Sequence, residues 1–520
     1  MKNKFLLTIG FIGMIGVSCN KLLNINTNPN ATTTSSPDLV LPLAITNTAS
    51  LVSSLNDYGG QTVGYMANAG GYGGFGATWT YNYPTTQGNG YWASGYSILE
   101  NLQSIINISE GNDSYTYYGA AARILKSYVY EMLVDEFNNI PYSDALKGSS
   151  YVTPKYDDAA SIYVSLANNI DSAITEINSA TTGVTSFTSG TDPLFSGNMT
   201  YWKQFANTLK LRLIIRASSA TTFSNTTFTT DGFLADDAIV NPGYKLATGE
   251  VNPSWGTWVA SYTGSAGLRD YNPTYYIMGY YNGAKLSDSA RGAAIFYNFP
   301  KTPVNQMGVS SGTIANSPAT AGAWYSGTGS GTGLGNAIGV MKGPNMGEPL
   351  MLLAESDFLQ AEADVRGILT QDAKSDFNKG IAASFNYLYK LPTNILESGL
   401  DPAADATSYI TKNSTSYLAN FDIATTTAEK IEAIITQKYI ALDFINGAEA
   451  WNEYRRTGYP ATSTTVTNNA VYSFASTQSQ ATRPDHLPTR LPYPSTEYSL
   501  NSSNVPSDIS VYTSLIFWAK

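Results

Sequence analysis

The stretch Thr116-Tyr-Tyr-Gly-Ala-Ala-Ala-Arg-Ile-Leu-Lys-Ser-Tyr-Val-Tyr-Glu-Met-Leu-Val-Asp-Glu-Phe137 decides the fold class. Ala121, Ile124, Leu125, Tyr128, Val129, Met132 and Leu133 recur every three or four residues, so they share one face of an α-helix. The same period returns on both sides. It runs through 156–179 (Ile162, Leu166, Ile170, Ile174, Ile177) and 199–217 (Trp202, Phe205, Leu209, Leu213), which also brings Arg212 and Arg216 to one face. It returns in 349–367 (Leu353, Ala354, Phe358, Ala361, Glu362, Ala363), where the alanines permit close helix approach. Residues 427–456 carry Ile431, Ile434, Ile435, Tyr439, Leu442 and Ile445 and open on Thr426-Thr-Ala-Glu429, the spacing of a capping box. Weaker helical patterns cover 38–56, 91–109, 370–388 and 402–418.

Helices following helices, with no alternating strands, predict a mainly α fold of stacked antiparallel pairs of the tetratricopeptide kind. A clean repeat of about 34 residues, the tetratricopeptide period, is not visible. Three stretches break the pattern. Residues 58–92 are rich in Gly and aromatics, 218–348 alternate Thr/Ser/Gly tracts with Trp and Tyr, and 457–520 are rich in Pro, Asn and Ser. They predict a large irregular, loop-rich face on the helical scaffold.

Charged residues are only 13% of the 520, and the net charge is −10. An acidic, charge-poor surface does not suit nucleic acid, whose phosphates need a basic one. The polarity is carried by neutral groups, with 37 Tyr and many Ser, Thr and Asn. Such a surface suits neutral, hydroxyl-rich ligands.

The amino terminus reads as an address. Lys2 and Lys4 precede an apolar run from Phe5 to Val17, then Ser18-Cys19. The run is shorter than the roughly 20 residues of a membrane span. No later apolar run of that length is read in the sequence, so no helical span is expected. The only Cys of the chain stands where a secretory cut would fall. We expect residues 1–18 to be a lipoprotein signal peptide and Cys19 to carry the lipid. Residues 19–37 would form a polar lipidated tether and 38–520 a single domain with loop-rich insertions around 58–92 and 218–348. Gly16 departs from the usual lipobox, where Leu is commonest.

Catalytic chemistry finds little material. One Cys and one His exclude an intramolecular disulfide and a Cys/His zinc site, which needs about four such ligands. A nucleophile–His system would depend on His486, in the Pro-broken stretch 483–490. The alternating glycines 327–335 fail the Gly-x-Gly-x-x-Gly register, and no Gly-Lys-Ser/Thr follows. The carboxylate pairs Asp135/Glu136, Asp157/Asp158, Asp236/Asp237 and Glu362/Asp364 fit helix ends and solvated helix faces better than a glycosidase dyad. No metal or cofactor is expected, and no enzymatic activity.

The aromatic loop is the strongest signal for binding. Tyr72, Trp79, Tyr81, Tyr83, Tyr91 and Trp92 are spaced by Gly, Asn and Thr. Trp and Tyr rings offer flat apolar platforms, and their neighbours offer neutral hydrogen bonds, a combination that fits a pyranose. Trp79, Tyr81, Tyr83 and Trp92 are the first candidates for ligand stacking, with Tyr72 and Tyr91 beside them. Trp255, Trp258, Tyr262, Trp324 and Tyr325 form a weaker second set, of which Trp324 and Tyr325 would be tested next.

Several segments, in order, resemble the SusD/RagB family of nutrient-binding outer-membrane lipoproteins, and most closely its second large subgroup. They are Leu23-Asn-Ile-Asn-Thr-Asn-Pro-Asn30, Asp135-Glu-Phe-Asn-Asn-Ile-Pro-Tyr-Ser-Asp-Ala-Leu146, Pro154-Lys-Tyr-Asp157, and 202–216 from Trp202-Lys-Gln-Phe to Arg216. Then come Glu348-Pro-Leu-Met-Leu-Leu-Ala-Glu355 with its continuation to Ala363, Gln437-Lys-Tyr-Ile-Ala-Leu442, Ala450-Trp-Asn-Glu-Tyr-Arg-Arg-Thr-Gly-Tyr-Pro460, and Arg490-Leu-Pro-Tyr-Pro494 with Glu497 and Asn501. The resemblance implies one tetratricopeptide-like domain, no catalysis, and capture of oligosaccharides, or in some members peptides, at the cell surface. It implies a SusC-like, TonB-dependent outer-membrane barrel as partner. It carries no ligand residue onto a numbered position. The acidic export signal that often follows the lipid Cys is replaced by Asn20-Lys-Leu-Leu. The low charge favours a glycan over a peptide, and the scarcity of His weighs against a third reading, a secreted glycan-active enzyme.

Overall fold

The computed structural model describes residues 35–70, 76–181, 183–268, 270–310, 324–325, 336–464 and 471–520. Residues 19–34 of the expected tether, with Cys19, the glycine run 327–335 and Tyr72 lie outside them. The long helices are α1 (Pro37–Thr62), α2 (Asn89–Glu110), α3 (Thr116–Phe137), α4 (Ala159–Ser179), α5 (Met199–Ala217), α6 (Leu353–Val365), α7 (Ala373–Tyr389), α8 (Pro402–Lys412), α9 (Thr427–Ala441) and α10 (Gly447–Thr457). Residues Pro37–Lys520 form one compact unit.

Short connections make sequence neighbours pack as antiparallel hairpins. α2 packs on α3, α3 on α4, α6 on α7 and α7 on α8, while α1 lies across α2 and α10. The fold is mainly α and built of helix pairs, as the periodicity predicts. Side chains fix most helix starts. Asp158, Asn198, Asp372 and Asp401 accept hydrogen bonds from backbone N–H groups of the first turns of α4, α5, α7 and α8. The capping box at α9 forms: Glu429 N donates to Thr426 Oγ1 at 3.1 Å and Thr426 N to Glu429 Oε2 at 2.8 Å.

The helix expected over 427–456 is two helices. The chain leaves α9 at Leu442, and Asn446 restarts α10 by accepting from Glu449 N at 3.1 Å. The reason is a backbone crossing. A Cβ on Gly447 would stand 2.3 Å from Gly60 N, and one on Gly59 would stand 2.2 Å from Ala448 N. Asn56 stitches the crossing, donating to Phe444 O at 3.1 Å and accepting from Gly447 N at 2.7 Å. The region 58–92 is correspondingly less irregular than expected, since α1 runs on to Thr62 and α2 begins at Asn89.

α1 also corrects the expectation about apolar length. It has 26 residues, and its most apolar window reaches a mean hydropathy of 1.3, enough to cross a membrane by length and composition. In the fold 56% of that window is buried, which is the pattern of a core helix.

Three short antiparallel strand pairs tie loops to the scaffold. β1 (Met66–Asn68) pairs with β5 (Tyr271–Pro273), placing Asn68 opposite Tyr271. β2 (Ile140–Pro141) pairs with β3 (Tyr156–Asp157), and β4 (Ala238–Val240) with β6 (Glu348–Met351), the latter with an irregularity at Ala238/Ile239.

An ionic network lies within the helices. Arg212 and Arg216, on one face of α5 as read from the sequence, meet Glu131 and Asp135 of α3, Glu355 of α6 and Glu449 of α10 at 2.5–3.0 Å. Lys438 of α9 reaches Glu449 at 2.7 Å and Glu453 at 3.2 Å, and Arg456 pairs with Glu362 at 2.6 Å. Burial would raise the carboxyl of Glu449, yet Arg216, Lys438 and Arg212 hold it below its ordinary range. Asp135, Glu136 and Glu362 are therefore buried partners of arginines, not the solvated faces expected of them. Asp158 does cap a helix, and Asp237 accepts from Leu353 N at 2.9 Å.

Candidate ligand-binding face

The aromatic loop starts from a four-residue helix, Ala77–Thr80, which ends on Tyr81 in the left-handed region at φ 56°. That turn sends successive aromatics in different directions. Tyr81 goes inward, and its hydroxyl accepts from Ser476 N at 3.0 Å. Tyr83 meets Tyr58 edge-on at 5.7 Å. Trp92 is packed among Tyr96, Phe137 and Tyr156 at 4.9, 5.2 and 6.2 Å. Tyr325 stacks on Phe444 at 4.3 Å, and Trp324 is buried beside Tyr297.

Five of the expected platforms, Tyr81, Tyr83, Trp92, Trp324 and Tyr325, are thus core residues in this conformation, with no ring face open to a ligand. Burial, with smaller contributions from neighbouring acidic groups, pushes the phenols of Tyr83 and Tyr325 far above the ordinary tyrosine range. Trp255 and Trp258 are buried as well. Trp79 and Tyr91 are half-buried, and Tyr262 is 47% exposed.

Trp79 is the aromatic that the loop presents on a prepared support. Its indole N–H donates to Asn68 Oδ1 at 3.1 Å. The same oxygen accepts from Gly308 N at 2.9 Å, while Asn68 Nδ2 donates to Val309 O at 2.6 Å. Asn68 is fully buried in β1, so it fixes both the indole and the 305–310 loop. A third loop closes the arrangement: Gln480 N donates to Thr80 O at 3.0 Å, and Gln478 Nε2 donates to Gly308 O at 2.6 Å. Among the described residues, the exposed side chains on these loops include Asn82, Thr85, Thr86, Ser310, Gln478 and Gln480, all neutral. The result, among the described residues, is a half-buried indole with a rim that includes amides and a hydroxyl.

Carboxylates stand along the β1/β5 side. Gln61 donates to Asp57 and, at 2.9 Å, to the hydroxyl of Tyr271, the residue opposite Asn68. Burial pushes the Asp57 carboxyl up to about 6, the Gln61 bond opposes it, and the charge of Asp270 adds to it. The amides Asn68, Gln478 and Gln480 were not among the expected site residues. Their partners lie 240 or more positions apart for Asn68–Gly308 and 398 for Asn82–Gln480, and no local spacing signals such contacts.

His486 sits at φ 59° with its ring Nε2 3.1 Å from Thr464 O, a loop-packing position. No group of three or more His, Cys, Asp or Glu able to hold a metal occurs among the described residues.

The family model for the second SusD-like group, described as starch-binding associating with outer membrane, matches residues 29–494. The chain belongs to the SusD-like family. Solved structures agree on the fold. A SusD/RagB family protein of Bacteroides thetaiotaomicron has a TM-score of 0.68 at 18% identity, covering 93% of this chain and 99% of that one. A SusD homologue of Bacteroides fragilis has a TM-score of 0.63 at 20% identity over 94% of this chain and 100% of that one. A chitin-binding SusD homologue of Flavobacterium johnsoniae has a TM-score of 0.65 at 21% identity, over 92% and 98%. No curated protein matches the chain. This SusD-like protein is thus a member of an outer-membrane-associated family of binding proteins.

Proposed function

We propose that this SusD-like protein is a cell-surface lipoprotein that captures oligosaccharides and delivers them, chemically unchanged, to a SusC-like TonB-dependent outer-membrane barrel. The observation that carries the glycan reading is Trp79, held by Asn68 on a face whose exposed neighbours are neutral amides and hydroxyls. A sugar ring presents C–H faces to an indole and hydroxyls to amides. Trp79 is the stacking platform, with Tyr91 and Tyr262 as further contacts. Family membership supports the nutrient-binding role and the outer-membrane setting. The Cys19 thiol carries the lipid that anchors the protein facing the exterior.

Calorimetry with a panel of neutral oligosaccharides, beginning with chitin and starch fragments, tests the site. Trp79→Ala weakens binding by about 2 kcal/mol or more, the size of a hot spot. The affinity changes little with salt, because a neutral ligand leaves little charge to screen. If Trp79→Ala, Tyr91→Ala and Tyr262→Ala all fold and bind as the parent does, the site lies elsewhere. Binding that collapses with salt points to a charged ligand. Separately, Cys19→Ala abolishes metabolic lipid labelling and releases the protein from the membrane fraction; labelling that persists in this variant removes the anchor.

A further inference from the structure

A cavity of about 600 Å³ opens where α6, α7 and the start of α8 meet. Leu353 and Asp357 of α6 are four positions apart, and Ala383 and Asn386 of α7 three apart, so one face of each helix lines it. Phe233, Leu234 and the exposed Leu396 extend its apolar wall. The volume falls within the roughly 300–1,000 Å³ of sites for small molecules.

Three of the polar groups on this lining are already engaged. Asp401 caps α8, accepting from Ala403 N at 3.1 Å and Ala404 N at 3.0 Å. Lys379 Nζ is held 2.8 Å from Asp376. Gln360 Nε2 donates to Ser356 O at 3.3 Å. Asp357 differs. It is only 7% exposed, yet among the described residues its carboxylate accepts no hydrogen bond and has no cation within ion-pairing distance. Its oxygens are not among the unpaired atoms sealed from solvent, so the surface they keep belongs to the cavity. A carboxylate buried this deeply normally meets a donor or a cation, because an unpaired buried charge is costly. Here burial pushes the carboxyl up to about 7, the charge of Asp376 adds to the rise, and Lys379 opposes it. Since Asp376 already neutralises Lys379, Asp357 is an uncompensated acid among apolar walls.

We propose that this cavity binds a small organic ammonium, its N–H groups donating to Asp357 and its apolar body resting on Phe233, Leu234, Leu353 and Leu396. A charge-assisted N–H bond supplies both the donor and the opposite charge that Asp357 lacks. A bare metal ion does not fit, because a hard cation takes about six or more oxygen ligands and one free carboxylate stands here. The site lies on the helical scaffold and is independent of the neutral-glycan face around Trp79.

Calorimetry on the folded protein tests the site, with phenylbutylammonium as probe at constant ionic strength and about pH 8, where the carboxyl is ionised. Methylammonium carries the charge without the body, and phenylbutanol carries the body without the charge. Saturable heat is expected from phenylbutylammonium, with binding weaker by about tenfold or more for either control. Asp357→Asn keeps the size of the side chain, loses the charge, and weakens the amine by the same factor. Its melting temperature, equal to or above the parent's, verifies the fold. Ala403→Trp, at an exposed position on the rim, obstructs the mouth without touching the core and also weakens binding. No saturable heat from phenylbutylammonium overturns the proposal. So does either control binding as tightly as the amine, or unchanged binding in Asp357→Asn or, should that variant not fold, in Ala403→Trp.

Discussion

Glu348 shows how one side chain couples this fold to pH. It is buried at the start of β6, where Ser254 Oγ donates to it at 2.7 Å and Asn252 Nδ2 at 2.9 Å. Burial still dominates and pushes its carboxyl up from 4.5 to about 7. An acid whose folded pKa is raised favours folding most below its unfolded pKa and progressively less as pH climbs to the folded value. Glu348→Gln removes the ionisation, so the variant gains on the parent between about pH 5 and pH 8, by about 3 kcal/mol at most. Urea unfolding of both proteins across that range reads the difference, and a pH-independent gap refutes the assignment. Trp92 and Trp79 make a second contrast. Trp92→Ala removes a ring packed on Phe137 and costs about 3–5 kcal/mol of stability, while the folded protein keeps its ligand affinity. Trp79→Ala does the reverse. Thermal melts and calorimetry on the same two variants separate the roles.

Among elements, the crossing of α1 over α10 tolerates least. Gly447→Ala places a methyl 2.3 Å from a backbone nitrogen that cannot rotate away, and it costs about 3 kcal/mol. Gly90→Ala, in α2 with nothing within 4 Å of the added carbon, gains up to about 1 kcal/mol. Chemical denaturation of the two variants should move in opposite directions. The same crossing marks where the sequence stops being readable. The long helices are legible because burial on one face imprints a 3.6-residue period, as in Thr116–Phe137. The break before Gly447 is not, because Leu442 and Ile445 continue that period while a contact with Gly59 and Gly60 dictates the turn. The loop is harder still. Composition announces rings and glycines, but Tyr81 and Trp79 differ only in which way a left-handed residue turns them. Asn68, which holds the indole, is only 11 positions from Trp79, but the segments that brace it and complete the rim, around Gly308 and Gln480, lie 240 and 398 positions from their partners.

At the scale of the whole molecule, the buried charges decide what disruption costs. Arg216→Ala leaves Glu131, Asp135 and Glu449 short of a shared cation, and it destabilises by about 3–5 kcal/mol because a buried charge without a partner is worse than none. Added salt does not soften the loss, since ions do not reach the pairs. These contacts have a bearing on time as well as on strength. Arg216 and Glu449 are 233 positions apart, and Asn452 reaches Asp135 across 317. Local pairs such as Lys438–Glu449 can form early, but loops of that length must close before the network is complete, so it is completed late on the folding route. Interactions absent from the transition state hold back unfolding and leave folding speed almost untouched. Breaking the network should shorten the lifetime of the folded state in stopped-flow unfolding with little change in refolding rate. For a protein that we place outside the cell, beyond the reach of chaperones, endurance of the first folded copy matters more than the ease of making it again.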